Sequence, residues 1–402
     1  MAKKYHILQL NNRIPYPLND GGNIATYKLT NHLHNAGHQV TFAALNTLKH
    51  YQDPEVMSGI CDIHTVTIDT SITIPGMLKG FVKKTPYNVD RFYSPAYESL
   101  LAELLQHNTF DVVQVEGIYM GIYLPVIRKH TNAPVVLRSH NIEHQIWERL
   151  SYRATNPIKK WYLRHLYKKI KSFEHTIMHD FDAIMAITTL DEVFYQNAGY
   201  YKELITLTPG VEVSTTEASY PLENQDVCML GSLEWQPNIE ALHWLLQKVW
   251  PKVCETLHDA HLHVAGKNPS DAIMAIQQKG VTIHGEVENA QRFLEKSPIL
   301  VVPLHSGGGM RIKILEGMAL GKCVITTSIG AEGIQVLHGH DIVIADTDQA
   351  FTSALIELLS NPERVKQIGL EAKRNVMQHY VWEKKINELV AFYDKITRPS
   401  AD

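Results

Sequence analysis

Short β-rich runs alternate with longer helical patterns along the whole chain, and this alternation constrains the fold more than any other feature. The runs in the first half are YHILQL, HQVTFAAL, DIHTVTI, DVVQVE, APVVLRS, DAIMAIT and ELITLTP. The second half continues with DVCMLGS, HLHVAG, VTIHG, ILVVPL, CVITTS and DIVIA. Strands that alternate with helices form parallel sheets joined by crossover helices. We therefore predict an α/β protein built from doubly wound, Rossmann-like parallel sheets.

The length of the chain and one polar stretch indicate two domains. At 402 residues the chain exceeds the size of one ordinary core. Residues 209–225 are rich in Thr, Ser, Glu and Pro without an apolar period, which is typical of a linker. We predict an N-terminal domain over 1–208, and a second domain that covers 209–381 with the linker. A final helix, about 382–398, is expected to pack back on the first domain.

Composition and charge exclude several classes of partner. The net charge of −4 gives no overall attraction to nucleic acid, so we predict no nucleic-acid partner. The cysteines form no CxxC pair, which argues against a zinc site or a disulfide framework. The N-terminal apolar run is too short for a signal peptide, and no run reaches the roughly 20 apolar residues that span a bilayer. We expect a cytoplasmic protein, either free or on the inner face of the cell membrane.

The segment HSGGGMRIKILEGMALGKCVIT, residues 305–326, has the features of an anion-binding turn that leads into a helix. Its three glycines let the backbone approach a ligand closely. These glycines are Gly307, Gly308 and Gly309. Arg311 and Lys313, in the first turn of a helix predicted to start near Met310, oppose the helix dipole and so indicate a nearby anion. Glu316 can share the helix face of Lys313 and accept hydrogen bonds from ribose hydroxyls. A surface Lys313–Glu316 ion pair is the alternative.

A glycine pair, Gly21-Gly22, lies between the first strand and a predicted amphipathic helix. The N-terminus of that helix offers unpaired N–H groups to a phosphate. A tight strand-to-helix turn with no ligand explains the same pattern, and the pair alone does not decide between them.

Together these segments resemble the family-four retaining glycosyltransferases, which have the GT-B fold with a cleft between two domains. KILEGMALGKCVITTSIGAEGI looks like the family signature, and NDGGNIAT is similar to its N-terminal glycine loop. RSHNIEH resembles the loop with the active-site histidine, TPGVEV the interdomain segment, and GSLEWQPNIEALHWLL the start of the second domain. The resemblance implies transfer of a hexosyl group from a nucleotide-diphosphate sugar to a hydroxyl acceptor, with retention of configuration. Such an acceptor is a glycan or a lipid-linked molecule, in surface polysaccharide or glycan assembly.

The resemblance also implies roles for particular residues. His140 would lie near the transferred sugar and the acceptor. The donor-contacting set would be Gly21 and Gly22 at the diphosphate, Glu316 at the ribose, Gly285 and Val287 at the base, and Gly330, Ala331 and Glu332 along the donor.

Two departures from the family pattern bear on catalysis. The first of the two glutamates of the family falls on Gly308, so one sugar-contacting carboxylate is missing. The Arg and Lys that usually follow the first strand of the second domain are absent from GSLEWQPN. We therefore assign to Arg311 and Lys313, with the glycine-loop amides, the positive charge that a diphosphate needs when it leaves without a metal. We predict no metal and no cofactor.

Two further segments leave alternatives open. His140 and His144 flank Glu143 at a spacing that superficially suits a metal, but no third ligand cluster accompanies them. His140 can instead be a residue that only starts a helix. In the stretch 157–171, five lysines and Arg164 are interleaved with aromatic and aliphatic residues. Either an anionic membrane surface or water can face these cations.

Three other functions remain as alternatives. A nucleotide-sugar epimerase of the same fold would need no acceptor. A non-catalytic nucleotide-sugar-binding subunit would explain the missing glutamate at Gly308. A bilobed solute-binding protein would need an export signal, which the N-terminal sequence does not resemble.

Overall fold

All thirteen strands in the described part of the chain belong to two parallel sheets. The computed structural model describes residues 3–18, 21–83, 85–213 and 225–398. The chain divides into two compact units, one formed by Met1–Pro209 with Glu383–Asp402 and the other by Gly210–Trp382. Each sequence run predicted as a strand overlaps one of the thirteen strands. The prediction of an α/β protein with doubly wound parallel sheets is therefore confirmed.

The first unit contains a seven-stranded sheet in the order β3-β2-β1-β4-β5-β6-β7. Its strands are β1 (His6–Asn11), β2 (Gln39–Thr47), β3 (Asp62–Ile68), β4 (Val112–Glu116), β5 (Val135–Ser139), β6 (Ala183–Ala186) and β7 (Glu203–Thr206). Its helices are α1 (Gly21–Asn35), α2 (Ile74–Val82), α3 (Tyr87–Asp90), α4 (Pro95–His107), α5 (Leu124–His130), α6 (Glu143–Arg153), α7 (Pro157–Ile177) and α8 (Thr189–Asn197). Strands β4 and β5 are buried along their whole length, as expected for strands covered by helices on both faces.

The second unit contains a six-stranded sheet in the order β10-β9-β8-β11-β12-β13. Its strands are β8 (Asp226–Leu230), β9 (His261–Ala265), β10 (Val281–Gly285), β11 (Ile299–Val302), β12 (Cys323–Thr326) and β13 (Val343–Ile344). Its helices are α9 (Gln236–Trp244), α10 (Trp250–Thr256), α11 (Asp271–Met274), α12 (Ala290–Leu294), α13 (Ile312–Ala319), α14 (Asp348–Leu359) and α15 (Pro362–His379). A π-helical turn, Leu245–Val249, joins α9 to α10.

The strand order reverses once in each sheet, between β1 and β4 in the first and between β8 and β11 in the second. Ligands of doubly wound sheets bind beyond the carboxyl ends of the strands at such a point. The loops that follow these four strands are therefore the first places to look for a functional site in each unit.

The last helix, α16 (Trp382–Thr397), belongs to the first unit from Glu383 onward. The Tyr393 hydroxyl donates to the Gln114 side chain of β4, and Lys395 forms an ion pair with Glu203 at the start of β7. Residues 214–224 of the predicted linker lie outside the described residues. Before them, Val211 of the second unit pairs with Val381.

Two helix starts differ from the sequence prediction. The glycine pair does not precede the first helix but forms its first turn, because α1 begins at Gly21. Helix α13 begins at Ile312, two residues later than predicted, and Arg311 is its N-cap residue with φ −90° and ψ 83°. Only Lys313 of the two cations therefore lies within the helix. Within the described residues, no helix combines the length and the hydropathy that crossing a membrane requires.

Candidate functional site

The side-chain amine of Lys313 lies at the strand-order reversal of the second sheet. Its Nζ donates to the Leu230 carbonyl oxygen, at the end of β8, over 3.2 Å and to Oδ1 of Asn238 in α9 over 2.8 Å. A Cβ added to Gly231 would lie 2.8 Å from this Nζ, so the glycine leaves the space that the amine occupies. A helix that follows β11 thus carries a cation to the end of β8.

The charge of Lys313 is sensitive to its surroundings. Burial lowers the pKa of its amine to about 7, and the positive charge of Arg311 acts in the same direction, whereas Glu316 raises the pKa. An anion bound beside the amine would stabilise the charged form and raise the pKa again. Lys313, Arg311 and Glu316 therefore form one electrostatic group, as the sequence spacing suggested.

The glycine loop after β11 packs against an aromatic side chain. Gly307 has φ +104° and Gly309 has φ +78°, conformations that residues with side chains rarely adopt. A Cβ added to Gly307 would lie 3.0 Å from the ring of Trp235, in the loop after β8. Ser306 donates to Glu240 of α9 over 2.9 Å. These contacts hold the loop, with Gly308 at its centre, at the same sheet edge as Lys313.

Five further residues implied for donor binding lie in the same unit, near the ends of β10 and β12. Gly330 is buried beyond β12, where an added Cβ would lie 2.0 Å from Oγ1 of Thr326 and 3.0 Å from the Val302 carbonyl oxygen. Ala331 is also buried, and Glu332 is half-buried. Gly285 ends β10 with φ +71°, and half-buried Val287 follows it. These residues follow β10 and β12, so their backbone lies at the carboxyl edge of the sheet.

In the first unit, His140 lies directly after β5, as the sequence predicted. Its Nε2 is 2.7 Å from Oε2 of Glu116, the last residue of β4. The same oxygen accepts from Arg138 of β5 over 3.0 Å. Gly117, with φ +80°, follows Glu116, and an added Cβ there would lie 3.9 Å from the imidazole. Gly21 is exposed and Gly22 half-buried in the first turn of α1.

Glu116 is ionised in this environment. Burial alone disfavours its charge, but the Arg138 charge and the hydrogen bonds from His140 and Gln114 outweigh burial and lower the pKa of Glu116 to about 2. Sequence reasoning missed Glu116 and Arg138. A signal was present, because DVVQVE and APVVLRS carry charged residues near the ends of otherwise apolar strands.

His140 and His144, whose spacing superficially suits a metal, pair with two different carboxylates, Glu116 and Glu174. His144 Nδ1 lies 2.6 Å from Oε2 of Glu174 in α7. Oε1 of Glu174 accepts the backbone N–H of Glu143, and Oε2 accepts the backbone N–H of His144. No group of three or more His, Cys, Asp or Glu residues in the described part of the chain has the arrangement of a metal site. His144 and Glu174 instead anchor the start of α6.

Models of two protein families match the chain, one in each unit. The model described as Glycosyltransferase Family 4 matches residues 19–189, and the model described as Glycosyl transferases group 1 matches residues 224–361. A Klebsiella pneumoniae protein described as an uncharacterized 44.6 kDa protein in the cps region is 25% identical over 394 residues. The alignment covers 94% of this chain and 97% of that protein.

Solved glycosyltransferase structures share the fold. HepE of Anabaena, in complex with UDP and glucose, superposes with a TM-score of 0.66 at 10% identity, over 97% of this chain and 99% of that chain. TarM of S. aureus, in complex with fondaparinux, alpha-GlcNAc-glycerol and UDP, superposes with a TM-score of 0.66 at 11% identity. That alignment covers 97% of this chain and 100% of TarM. At such identities the likeness concerns the fold, which is GT-B.

Proposed function

The chain belongs to the GT-B glycosyltransferases that combine a family 4 domain with a group 1 domain, and we propose that it moves a hexosyl group from a nucleotide-diphosphate sugar to a hydroxyl acceptor with retention of configuration. The observation that carries this proposal is the Lys313 amine at the end of β8, beside the glycine loop that follows β11. A cation and open backbone at a strand-order reversal suit a diphosphate.

The reaction would break the bond between the anomeric carbon and the diphosphate oxygen. Lys313, Arg311 and the amides of Gly307–Gly309 would stabilise the negative charge that develops on the leaving diphosphate, without a metal. The acceptor oxygen would bond to the anomeric carbon, and its proton would pass to the departing phosphate. Glu316 would hold the ribose, and the segments at Gly285 and Gly330 would contact the rest of the donor. Gly21 and Gly22 would face the diphosphate, and His140 would lie near the transferred sugar and the acceptor.

Three similarities support the substrate classes. The Klebsiella relative comes from the cps region, which fits a role in surface polysaccharide assembly. HepE was solved with UDP and glucose, and TarM with UDP and glycan-type ligands, which fits a nucleotide-sugar donor and a glycan or lipid-linked acceptor.

Release of nucleoside diphosphate tests the function. We expect one of a panel of UDP-, GDP- and other nucleotide-sugars to raise the melting temperature, because a ligand of the native state stabilises it. When an acceptor is present, the same donor should release nucleoside diphosphate, and EDTA should not prevent this release. An epimerase would convert the donor to another nucleotide-sugar without releasing nucleoside diphosphate. In a binding subunit, the donor would raise the melting temperature but would not be turned over. Either result would contradict transfer.

We also propose that the α6–α7 hairpin docks on an anionic membrane surface. Four large apolar side chains near its turn are exposed, and we call them the hairpin surface. They are Leu150 (44%), Tyr152 (65%), Ile158 (77%) and Trp161 (62%). Trp161 stacks on Phe81 of α2 with the ring centroids 5.5 Å apart. Exposed cations of α7 lie beside the hairpin surface, and they are Lys159, Arg164, Lys168 and Lys171.

One lysine of α7 has a structural role instead. Lys169 Nζ donates to the carbonyl oxygens of Gly80 and Lys83 over 2.5 and 2.6 Å, so it caps the end of α2. The opposite face of α7 packs into the first unit through Leu163, Leu166 and Ile170. The helix is therefore both a packed element and a carrier of outward cations, a combination typical of interfacial binding.

Sedimentation with lipid vesicles tests the docking. We expect binding to vesicles that contain phosphatidylglycerol, loss of binding in high salt, and at least about tenfold weaker binding in Trp161→Ser with Ile158→Ser. Tyr201→Ser is the matched control, because Tyr201 is a 91% exposed aromatic residue outside the hairpin. Equal binding by the double variant, or no binding by the natural chain, would contradict the proposal.

A further inference from the structure

A charged cluster without direct access to water lies behind His140. The Glu116 side chain is fully buried and that of Arg138 is 2% exposed, whereas His140 is 21% exposed. Glu116 ends β4, Arg138 lies in β5, and His140 follows β5. Of the three side chains, only the imidazole presents substantial surface to a ligand.

Burying such a cluster is costly, because an ion pair in the interior loses its hydration and apolar residues of similar volume often give equal or greater stability. Stability alone therefore does not account for a carboxylate at the end of a buried strand. The Glu116 carboxylate also accepts a hydrogen bond from the imidazole of His140, which is partly exposed.

We propose that Glu116 is a positioning residue that fixes both the orientation and the proton arrangement of His140. An ionised carboxylate can only accept hydrogen bonds, so the 2.7 Å contact requires the ring proton to be on Nε2. Nδ1 is then the nitrogen that meets a ligand, as an acceptor in the neutral ring and as a donor in the charged ring. Arg138 holds the carboxylate in place from the neighbouring strand.

A series of hydrogen bonds connects Glu116 to α16, the last helix described. The Gln114 amide donates to Oε1 of Glu116, and the Tyr393 hydroxyl of α16 donates to the Gln114 carbonyl oxygen. The Gln114 side chain is thereby held in one orientation, with its N–H groups towards the carboxylate. Tyr393 is fully buried and reaches this network from the segment that re-enters the first unit after Trp382. We infer that Tyr393, through Gln114, supports the position of His140.

The chemical consequence rests on the proposed function. A histidine with a fixed Nδ1 can hold one hydroxyl of the sugar or acceptor in a single geometry, whereas a ring that exchanges its proton between nitrogens would offer two. Glu116, Gln114 and Tyr393 touch no ligand in this scheme and act only through His140.

Nitrogen NMR of the histidine rings tests the proposal without any substrate. The His140 signals are assigned by their loss in His140→Gln. We expect the natural chain to carry the neutral ring proton on Nε2. Glu116→Gln offers an amide that can donate as well as accept, so both tautomers should be populated, and kcat/KM for transfer should fall by about a hundredfold. Tyr393→Phe should change both readouts in the same direction by a smaller factor, which keeps the test valid if Glu116→Gln fails to fold.

Glu174→Gln is the matched control, because Glu174 is a second fully buried carboxylate paired with a histidine, His144. It should lower the melting temperature without moving the His140 tautomer. A natural chain with the proton on Nδ1, or a tautomer unchanged in both Glu116→Gln and Tyr393→Phe, would overturn the proposal. A chain that shows the Nε2 proton but transfers no sugar would refute the proposed function while leaving the positioning role in place.

Discussion

Nζ of Lys313 in α13 donates a hydrogen bond to the carbonyl oxygen of Leu230, the last residue of β8, over 3.2 Å. The family pattern would have an Arg and a Lys in the loop after β8, and this chain has neither there. The contact shows that a cation nevertheless reaches that position, from a helix more than eighty residues further along the chain.

Donor binding should depend on pH through Lys313. Its pKa of about 7 means that the amine loses its charge as the pH rises through 7, while a bound diphosphate favours the charged form. Affinity for the nucleotide-sugar should therefore fall above pH 7, by up to about tenfold per pH unit, with proton uptake on binding. Calorimetry in buffers of different ionisation enthalpy measures this uptake. Lys313→Met should abolish it, and a pH-independent affinity in the natural chain would contradict the assignment.

Glu316→Gln should weaken donor binding while the fold stays intact. The carboxylate is expected to accept hydrogen bonds from two ribose hydroxyls, and a neutral amide accepts them less strongly. We expect an increase of about tenfold in the donor Kd with little change in melting temperature. Titration with a 2′,3′-dideoxy nucleotide serves as the control, because without ribose hydroxyls its affinity should change less than that of the natural donor when Glu316 is replaced. Unchanged affinity for the natural donor would exclude the ribose role.

Much of the architecture could be predicted from the sequence, because buried parallel strands are apolar on both faces and stand out between helices. The position of His140 after β5 and the grouping of Lys313 with Glu316 followed from that pattern. Partnerships between distant segments could not be predicted. Helical spacing predicts which helix face carries Lys313, but not that its amine donates a hydrogen bond to Asn238. The hydrogen bond from Tyr393 to Gln114 likewise joins segments that are far apart in the sequence. Helix starts also differed, since Gly21 begins α1 and Arg311 caps α13.

Gly266→Ala should disrupt the packing at the carboxyl ends of β8 and β9 in the second sheet. An added Cβ would lie 1.8 Å from the Gly231 carbonyl oxygen, a backbone atom that cannot move without shifting the loop beside Lys313. We expect the free energy of unfolding to fall by about 3 kcal/mol or more. Gly59→Ala is the control, because no heavy atom lies within 4 Å of its added Cβ. Urea unfolding measures both, and equal stability of the two variants would show that the close approach is absent.

Glu116 should make the free energy of unfolding depend on pH in the acidic range. Its pKa of about 2 lies below the ordinary value of 4.5, so its contribution is fully present above pH 4.5 and is lost as the pH falls towards 2. The size of this contribution is about 3 kcal/mol. Glu116→Gln should therefore show a shallower loss of unfolding free energy over this range, measured by urea unfolding at a series of pH values. Exposed Glu103→Gln should keep the natural slope, and an identical slope in Glu116→Gln would refute the shift.

The most direct test of the central claim compares two lysines of the second unit whose pKa values are lowered. Lys313 lies at the proposed diphosphate site, whereas Lys322, with a pKa lowered by burial to about 8, donates to the Ser297 carbonyl oxygen away from it. The measurement is kcat for release of nucleoside diphosphate at saturating donor and acceptor. We predict that Lys313→Met lowers kcat by about a hundredfold and that Lys322→Met leaves it within about twofold. A Lys313→Met enzyme that turns over as fast as the natural one would contradict the account.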